Sequence, residues 1–192
     1  MTSATAKPRS DAPPGFHYRD EFVPFDEAGA LVDAIAHLDF SPFELRGFVA
    51  KRRVAYFGAS YDSGDSARPP IPAFLERLRD RIATWAGVTG DEFVMALVNE
   101  YTPGTTIGWH RDAPQFGIVA GVSLLTACRM KFRLYERPGA RRVPGARRLT
   151  SHEVSLQPRS AYLMTGAARS AYEHHIPPVR ALRYSITFRT RR

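Results

Sequence analysis

The stretch "LRYSITFR", residues 182–189, carries two patterns at once. By the two-residue period of a strand, Tyr184, Ile186 and Phe188 share one face, while Arg183, Ser185, Thr187 and Arg189 share the other. The first set suits a core. The second puts two guanidiniums and two hydroxyls on an otherwise apolar strand, which is costly unless something anionic meets them. Inside a closed sheet, a dicarboxylate would answer both arginines through charge-assisted, bidentate contacts. An edge strand with its arginines in water is the alternative.

Working outward, the same texture recurs from residue 92. "EFVMALVNEY", "AGVSLLTA", "RMKFRLYE", "HEVSLQ" and "SAYLMTG" are short, β-branched or aromatic, and separated by turn residues. Such spacing predicts a β-sandwich or barrel. The first half differs. "DEAGALVDAIAHLDF" (26–40) sets Ala30, Leu31, Ala34, Ile35 and Leu38 at helical spacing with acids near its start. "PAFLERLRDRIATWAG" (72–87) is a second helix between a Pro and a Gly. "RGFVAKRRVAYFG" (46–58) reads as strands or a hairpin ending at Gly58, and 61–72 as a loop. Helices first and strands later make an α+β chain, mainly β, with the helices over one face of a sheet.

Composition bounds the function. The 192 residues suffice for one domain with a substantial core. No apolar run of about 18 residues is present, so no transmembrane helix is expected. Residues 1–15, rich in Pro, Ser, Thr and Ala, read as a flexible tail without the apolar region of a secretory signal. The lone Cys128 excludes an internal disulfide and fits a cytoplasmic location. The net charge of +8, mostly from arginine, favours polyanion partners; simple solubility explains it equally. "RPGARRVPGARR" (137–148) is a basic loop, either a phosphate contact or a solvated face.

"IGWHRDAPQFG" (107–117) places His110 and Asp112 two apart, on one face if the stretch is a strand. Two histidines and one carboxylate can hold iron(II) and leave coordination positions open. Alone, the pair reads equally as an ordinary polar pair. A third ligand must come from a distant strand, and "EHHIPP", with His174 and His175, lies just before the last one. Asn99 and Tyr101 share a face with Met95 and Leu97, offering hydrogen bonds to an enclosed ligand; Asn99 also suits a turn before Pro103-Gly104.

From about residue 42 onward, the ordered set "KRRVAYFG", "NEYTPGTTIGWHRD", "HHIPP" and "RYSITFR" resembles the AlkB family of iron(II)- and 2-oxoglutarate-dependent dioxygenases. The family pattern is Asn-x-Tyr-x-x-Gly, His-x-Asp, His-x-aliphatic-Pro and Arg-x-[Asn/Ser]-x-x-x-Arg. The resemblance implies a double-stranded β-helix (jelly roll) with the two N-terminal helices packed outside. It implies one domain over 16–192, with helices and a nucleotide-recognition lid in 16–90 and the jelly-roll core in 91–192. It makes His110, Asp112 and His174 the Fe(II) ligands and leaves His175 as a neighbour. Asn99, Tyr101, Arg183, Ser185 and Arg189 become the 2-oxoglutarate site, with O2 as second cosubstrate.

The activity implied is oxidative demethylation of N-alkylated bases in nucleic acid, DNA before RNA, by a monomer, with release of formaldehyde, succinate and CO2. The base would be flipped from its stack. Lid candidates are Lys51, Arg52 and Arg53 for phosphates, and Tyr56, Phe57 and Tyr61, with Phe43 and Phe48, for a base. Any of these aromatics also suits packing of the first strands. Many repair members carry an acid two positions after the Asp ligand; here Pro114 stands there, and Phe116 is either pocket wall or core. A same-fold oxygenase acting on a protein side chain or small molecule is the other reading.

Overall fold

The computed structural model describes residues 12–45, 47–59, 68–136 and 151–192. Residues 1–11, Tyr61 and the basic loop at 137–148 lie outside the described residues. The strands are β1 (Phe16–Arg19), β2 (Ser41–Leu45), β3 (Phe48–Gly58), β4 (Phe93–Tyr101), β5 (Ile107–His110), β6 (Phe116–Leu124), β7 (Cys128–Leu134), β8 (His152–Leu156), β9 (Ala161–Met164), β10 (Tyr172–Ile176) and β11 (Arg183–Arg191). The helices are α1 (Phe25–Ala36), α2 (Ala73–Ala86) and a short α3 (Gly166–Ser170).

β11 is no edge strand. It lies between β6 and β4 in a seven-stranded sheet of order β1-β9-β6-β11-β4-β3-β2, and Arg183 through Thr190 are all buried. The second sheet has four strands in the order β5-β10-β7-β8. The eight strands β4–β11 form two four-stranded sets, β9-β6-β11-β4 and β5-β10-β7-β8, which is jelly-roll order. The expected double-stranded β-helix is therefore present, and all its pairings are antiparallel.

Side-chain alternation sorts the core into two layers. Tyr184, Ile186 and Phe188 face outward with Ala96, Val98, Ala120 and Val122, and the helices cover them through Leu31 and Ile35 of α1 and Leu75, Leu78 and Ile82 of α2. Pro72 precedes α2, and Gly87 ends it in the left-handed conformation, φ 72°. Between the sheets, Met130, Phe132, Val154, Leu156, Met164 and Ile176 fill one part of the interior. The rest of it is polar and holds the inward face of β11.

The eight jelly-roll strands all lie within 91–192, and β1, β2 and β3 extend the larger sheet beyond them. Two expectations need correction. Residues 12–15, read as the end of a tail, are tied down: the Thr165 amide donates to Gly15 O at 2.9 Å and the Ala168 amide to Pro14 O at 2.8 Å. β5 ends at His110, so Asp112 lies past the strand rather than on its face.

Gly58 closes β3 with φ +74°, and a Cβ there would stand 2.3 Å from the Val94 carbonyl oxygen. Both the left-handed backbone and the clash penalise a side chain. Gly58→Ala is expected to cost about 2 kcal/mol or more, lowering the melting temperature by roughly 4–8 °C; calorimetry checks this, and an unchanged Tm would contradict the backbone placement.

Candidate iron and 2-oxoglutarate site

β5 and β10 pair so that His110 stands directly opposite His174, with ring centroids 4.2 Å apart. The His110 Nδ1 donates to the Gly108 carbonyl at 2.9 Å. A carbonyl only accepts, so Nδ1 carries the proton and Nε2 keeps its lone pair for a ligand. His174 is buried, and its Nε2 lies 3.7 Å from Asp112 Oδ2. His175 points the other way, its ring 5.1 Å from Trp109 and its Nδ1 donating to the Ile107 carbonyl. Alternation along β10 therefore separates the two adjacent histidines.

Asp112 is almost fully enclosed, and its Oδ1 accepts from Arg189 at 3.0 Å. Burial alone would raise its pKa, but the Arg189 guanidinium, then His174, His110 and Arg169, outweigh that and hold it well below the usual carboxylate range. The opposite holds for His174: burial first, then His110, push its pKa down to about 3 against the pull of Asp112. The carboxylate is thus ionised and the imidazole neutral, the forms that bind a metal. Among the described residues no three such side chains already form a closed ligand set. His110, Asp112 and His174 are gathered, with one Asp112 oxygen engaged by Arg189.

The inward face of β11 meets matched registers. Arg183 lies opposite Tyr101, and Ser185 opposite Asn99 and Ser123. Asn99 Nδ2 donates to Ser185 Oγ at 3.5 Å. Arg183 is 1% exposed, a depth that requires an explanation for a guanidinium. Its Nε donates to Ser123 Oγ at 3.1 Å, and its plane lies 4.9 Å from the Tyr101 ring. Its Nη1 is buried with no hydrogen-bond partner among the described residues. A buried cation with an unused donor, beside an amide, a phenol and two serine hydroxyls, fits a carboxylate guest. The two arginines are not equivalent. Arg189 donates to Thr187 Oγ1 and to Asp112, both at 3.0 Å, and so also braces the carboxylate of the metal set.

Two further residues join the site without having been singled out in the sequence. Arg169 of α3 is buried and donates to the carbonyls of Asp112 at 3.3 Å, of Ala113, and of Phe116 at 2.9 Å. It thereby ties the segment after Asp112 to the element leading into β10. A lone charge within the small-residue run "GAARSA" was the available signal. Tyr162 of β9 is also buried on the inner face, opposite Gly121 of β6.

The lid candidates separate by alternation. β3 pairs with β4 so that Val54 meets Asn99 and Tyr56 meets Leu97, placing Arg52, Val54 and Tyr56 on the site face. Arg53 and Phe57 take the helix face, and so does Lys51, which is exposed. Phe57 is core, and Arg53 is bound to Glu100 at 2.7 Å. These three therefore do not line the site. Phe116 is 1% exposed and packs with Val54, Met95 and Leu97, so it is core behind the site, 5.9 Å from the Arg189 guanidinium. Pro114 is exposed on the segment between β5 and β6. On the site face, the Arg52 guanidinium lies 3.7 Å over Phe43 and that of Arg68 lies 4.1 Å over Tyr56.

Comparison with known proteins agrees with this geometry. Residues 50–189 match the family model of the 2OG-Fe(II) oxygenase superfamily. The chain is 26% identical over 184 residues to the alkylated DNA repair protein ALKBH8 homolog of Arabidopsis thaliana, covering 85% of this chain. It spans about half (51%) of that relative's length. The structure of OsALKBH1 superposes with a TM-score of 0.69 at 16% identity, covering 93% of this chain and 99% of the other. A prolyl-4-hydroxylase from Pseudomonas putida superposes at 0.63 with 14% identity, covering 93% of each chain. A 2OG-Fe(II) oxygenase family oxidoreductase from Burkholderia pseudomallei reaches 0.60 at 18% identity, covering 92% of this chain and 85% of the other. At these identities the three structures speak for the fold, while the family model spans every motif of the site: the chain belongs to the 2OG-Fe(II) oxygenase superfamily, which implies Fe(II), 2-oxoglutarate and O2 as cofactor and cosubstrates.

Proposed function

We propose that this enzyme oxidatively demethylates N-alkylated bases in nucleic acid, with DNA preferred to RNA. Each turnover would convert one N-methyl group, O2 and 2-oxoglutarate into the free N–H base, formaldehyde, succinate and CO2. His110, Asp112 and His174 would hold the iron, and Arg183, with Asn99, Tyr101 and Ser185, would hold the cosubstrate carboxylates beside Arg189. Bound iron with 2-oxoglutarate supplies the oxidation of the methyl C–H bond. The protein's own part is positional. Arg189 and Arg169 fix the Asp112 carboxylate and its segment, and the Gly108 carbonyl fixes the His110 tautomer. The hydrophobic wall of Val54, Met95, Leu97 and Phe116 limits water beside the site.

The nucleic-acid reading rests on the two guanidinium–ring pairs on the site face of β3, Arg52 over Phe43 and Arg68 over Tyr56. Cations that offer hydrogen bonds to phosphate, set against rings that can stack on a base, suit an extruded nucleotide. The buried Arg68 Nε has no hydrogen-bond partner among the described residues. The net charge of +8 and the name of the Arabidopsis relative point the same way.

The test is formaldehyde release from N-methylated single-stranded DNA and RNA oligonucleotides with iron and 2-oxoglutarate. Release is expected from DNA above RNA. No release from either, with hydroxylation of a peptide or small amine instead, would overturn the proposal. Arg68→Ala should raise the KM for the oligonucleotide several-fold and reduce the salt slope of binding by about 1, as loss of one phosphate contact does. An unchanged salt slope would remove Arg68 from the interface.

A pH dependence follows from His174 in the metal-free protein. Its folded pKa is about 3, against roughly 6.5 in an unfolded chain. Between these values the unfolded state binds the extra proton, so stability falls as pH drops from about 6.5 towards 3. His174→Asn should flatten that part of a melting-temperature profile; equal slopes in the two proteins would contradict the buried neutral imidazole.

A further inference from the structure

Tyr162 occupies a place that the family pattern does not assign. It lies on the inner face of β9, directly opposite Gly121 of β6, and Gly121 lies opposite Thr187 of β11, between Ser185 and Arg189. A Cβ on residue 121 would stand 2.3 Å from the Tyr162 Cζ and 2.5 Å from its hydroxyl oxygen. The glycine is thus the gap over which the phenol lies. On its other side the ring stacks on Phe16, with centroids 5.5 Å apart and planes 18° from parallel. A ring held between Phe16 and a bare stretch of backbone carries its hydroxyl across β6 toward the polar face of β11.

The groups that act electrostatically on that hydroxyl are those of the site: Asp112, Tyr101, Arg183 and Arg189. Burial, then the Asp112 carboxylate, raise the phenol pKa above its ordinary value, so it remains an O–H donor. Tyr162 is 7% exposed and forms no hydrogen bond among the described residues. A buried phenol normally finds a partner. The Arg183 Nη1, which is fully buried, also has none among the described residues. Two unused donors on the inward faces of β9 and β11 suit one acceptor between them.

We infer that Tyr162 is a further cosubstrate-binding residue, its hydroxyl donating a hydrogen bond to 2-oxoglutarate alongside Arg183. Gly121 belongs to the same device, because any side chain there would displace the ring. The inference rests on the 2-oxoglutarate site and not on the nucleic-acid reading, so the two fail separately.

Tyr162→Phe keeps the ring and its stack on Phe16 while removing the donor. With Mn(II) in place of iron, isothermal titration of 2-oxoglutarate into the full-length variant should give a dissociation constant about tenfold or more above wild type, the effect of losing a hydrogen bond to a charged group. The melting temperature and the Mn(II) affinity should match wild type, which separates a lost contact from a disturbed fold. In steady state, the KM for 2-oxoglutarate should rise and that for the methylated substrate should not. A 2-oxoglutarate affinity within twofold of wild type in the folded variant would overturn the assignment. A rise confined to the KM of the methylated substrate would overturn it too, by placing the hydroxyl against that substrate instead.

Discussion

The buried pair of Arg189 and Asp112 is the contact on which the site depends. Both side chains are almost wholly enclosed and meet at 3.0 Å. Either charge alone at that depth would be strongly destabilising, and the pair is tolerable only because each answers the other. Their meeting joins distant parts of the chain: Asp112 lies just past β5 in one sheet, and Arg189 near the end of β11 in the other. Closing the ion pair therefore spans the jelly roll at the place where iron is expected. The same contact keeps the carboxylate ionised before any metal arrives.

Register does the rest of the assembly. Because β11 sits between β4 and β6, each inward residue has an inward partner on both sides, as Ser185 has Asn99 and Ser123. A one-residue slip would bring Tyr184, Ile186 and Phe188 inward and leave both guanidiniums against the helices. The helix layer makes that slip costly, since Leu31, Ile35, Leu75, Leu78 and Ile82 would lose the apolar face they cover. Packing outside the site thereby protects the polar arrangement inside it.

Much of this was legible in the sequence, for identifiable reasons. The two faces of "LRYSITFR" differ so sharply that period-two reading separated the outward core residues Tyr184, Ile186 and Phe188 from the inward polar ones. Pro72 and Gly87 bracketed α2. The lid candidates fared worse because Lys51, Arg52, Arg53, Tyr56 and Phe57 were pooled by composition, although strand alternation places Arg52 and Tyr56 on one face and the other three on the opposite one. Arg169 and Tyr162 were hidden for another reason. An arginine in a short helix and a tyrosine in a strand look ordinary, and their significance lies in partners distant along the chain: the carbonyls of the segment after β5, and the backbone of Gly121. Asp112 was paired with His110 on the premise of a shared strand face, but β5 ends before it, and Arg169 and Arg189, not strand geometry, hold it in place.

The division of labour between the two arginines follows from their donors. Arg189 uses one terminal nitrogen on Thr187 and the other on Asp112 Oδ1, which leaves Asp112 Oδ2 as the oxygen nearer His174. A carboxylate held in this way offers a metal one oxygen rather than two. With two imidazoles, such a carboxylate would leave an iron room for the cosubstrate and O2. Arg183 is placed differently, at the start of β11 beside Tyr101 and Ser123, with a buried donor that has no partner among the described residues. One guanidinium thus holds the Asp112 carboxylate of the candidate metal set while the other keeps a donor for a candidate anion, and the strand that carries both sets the distance between them.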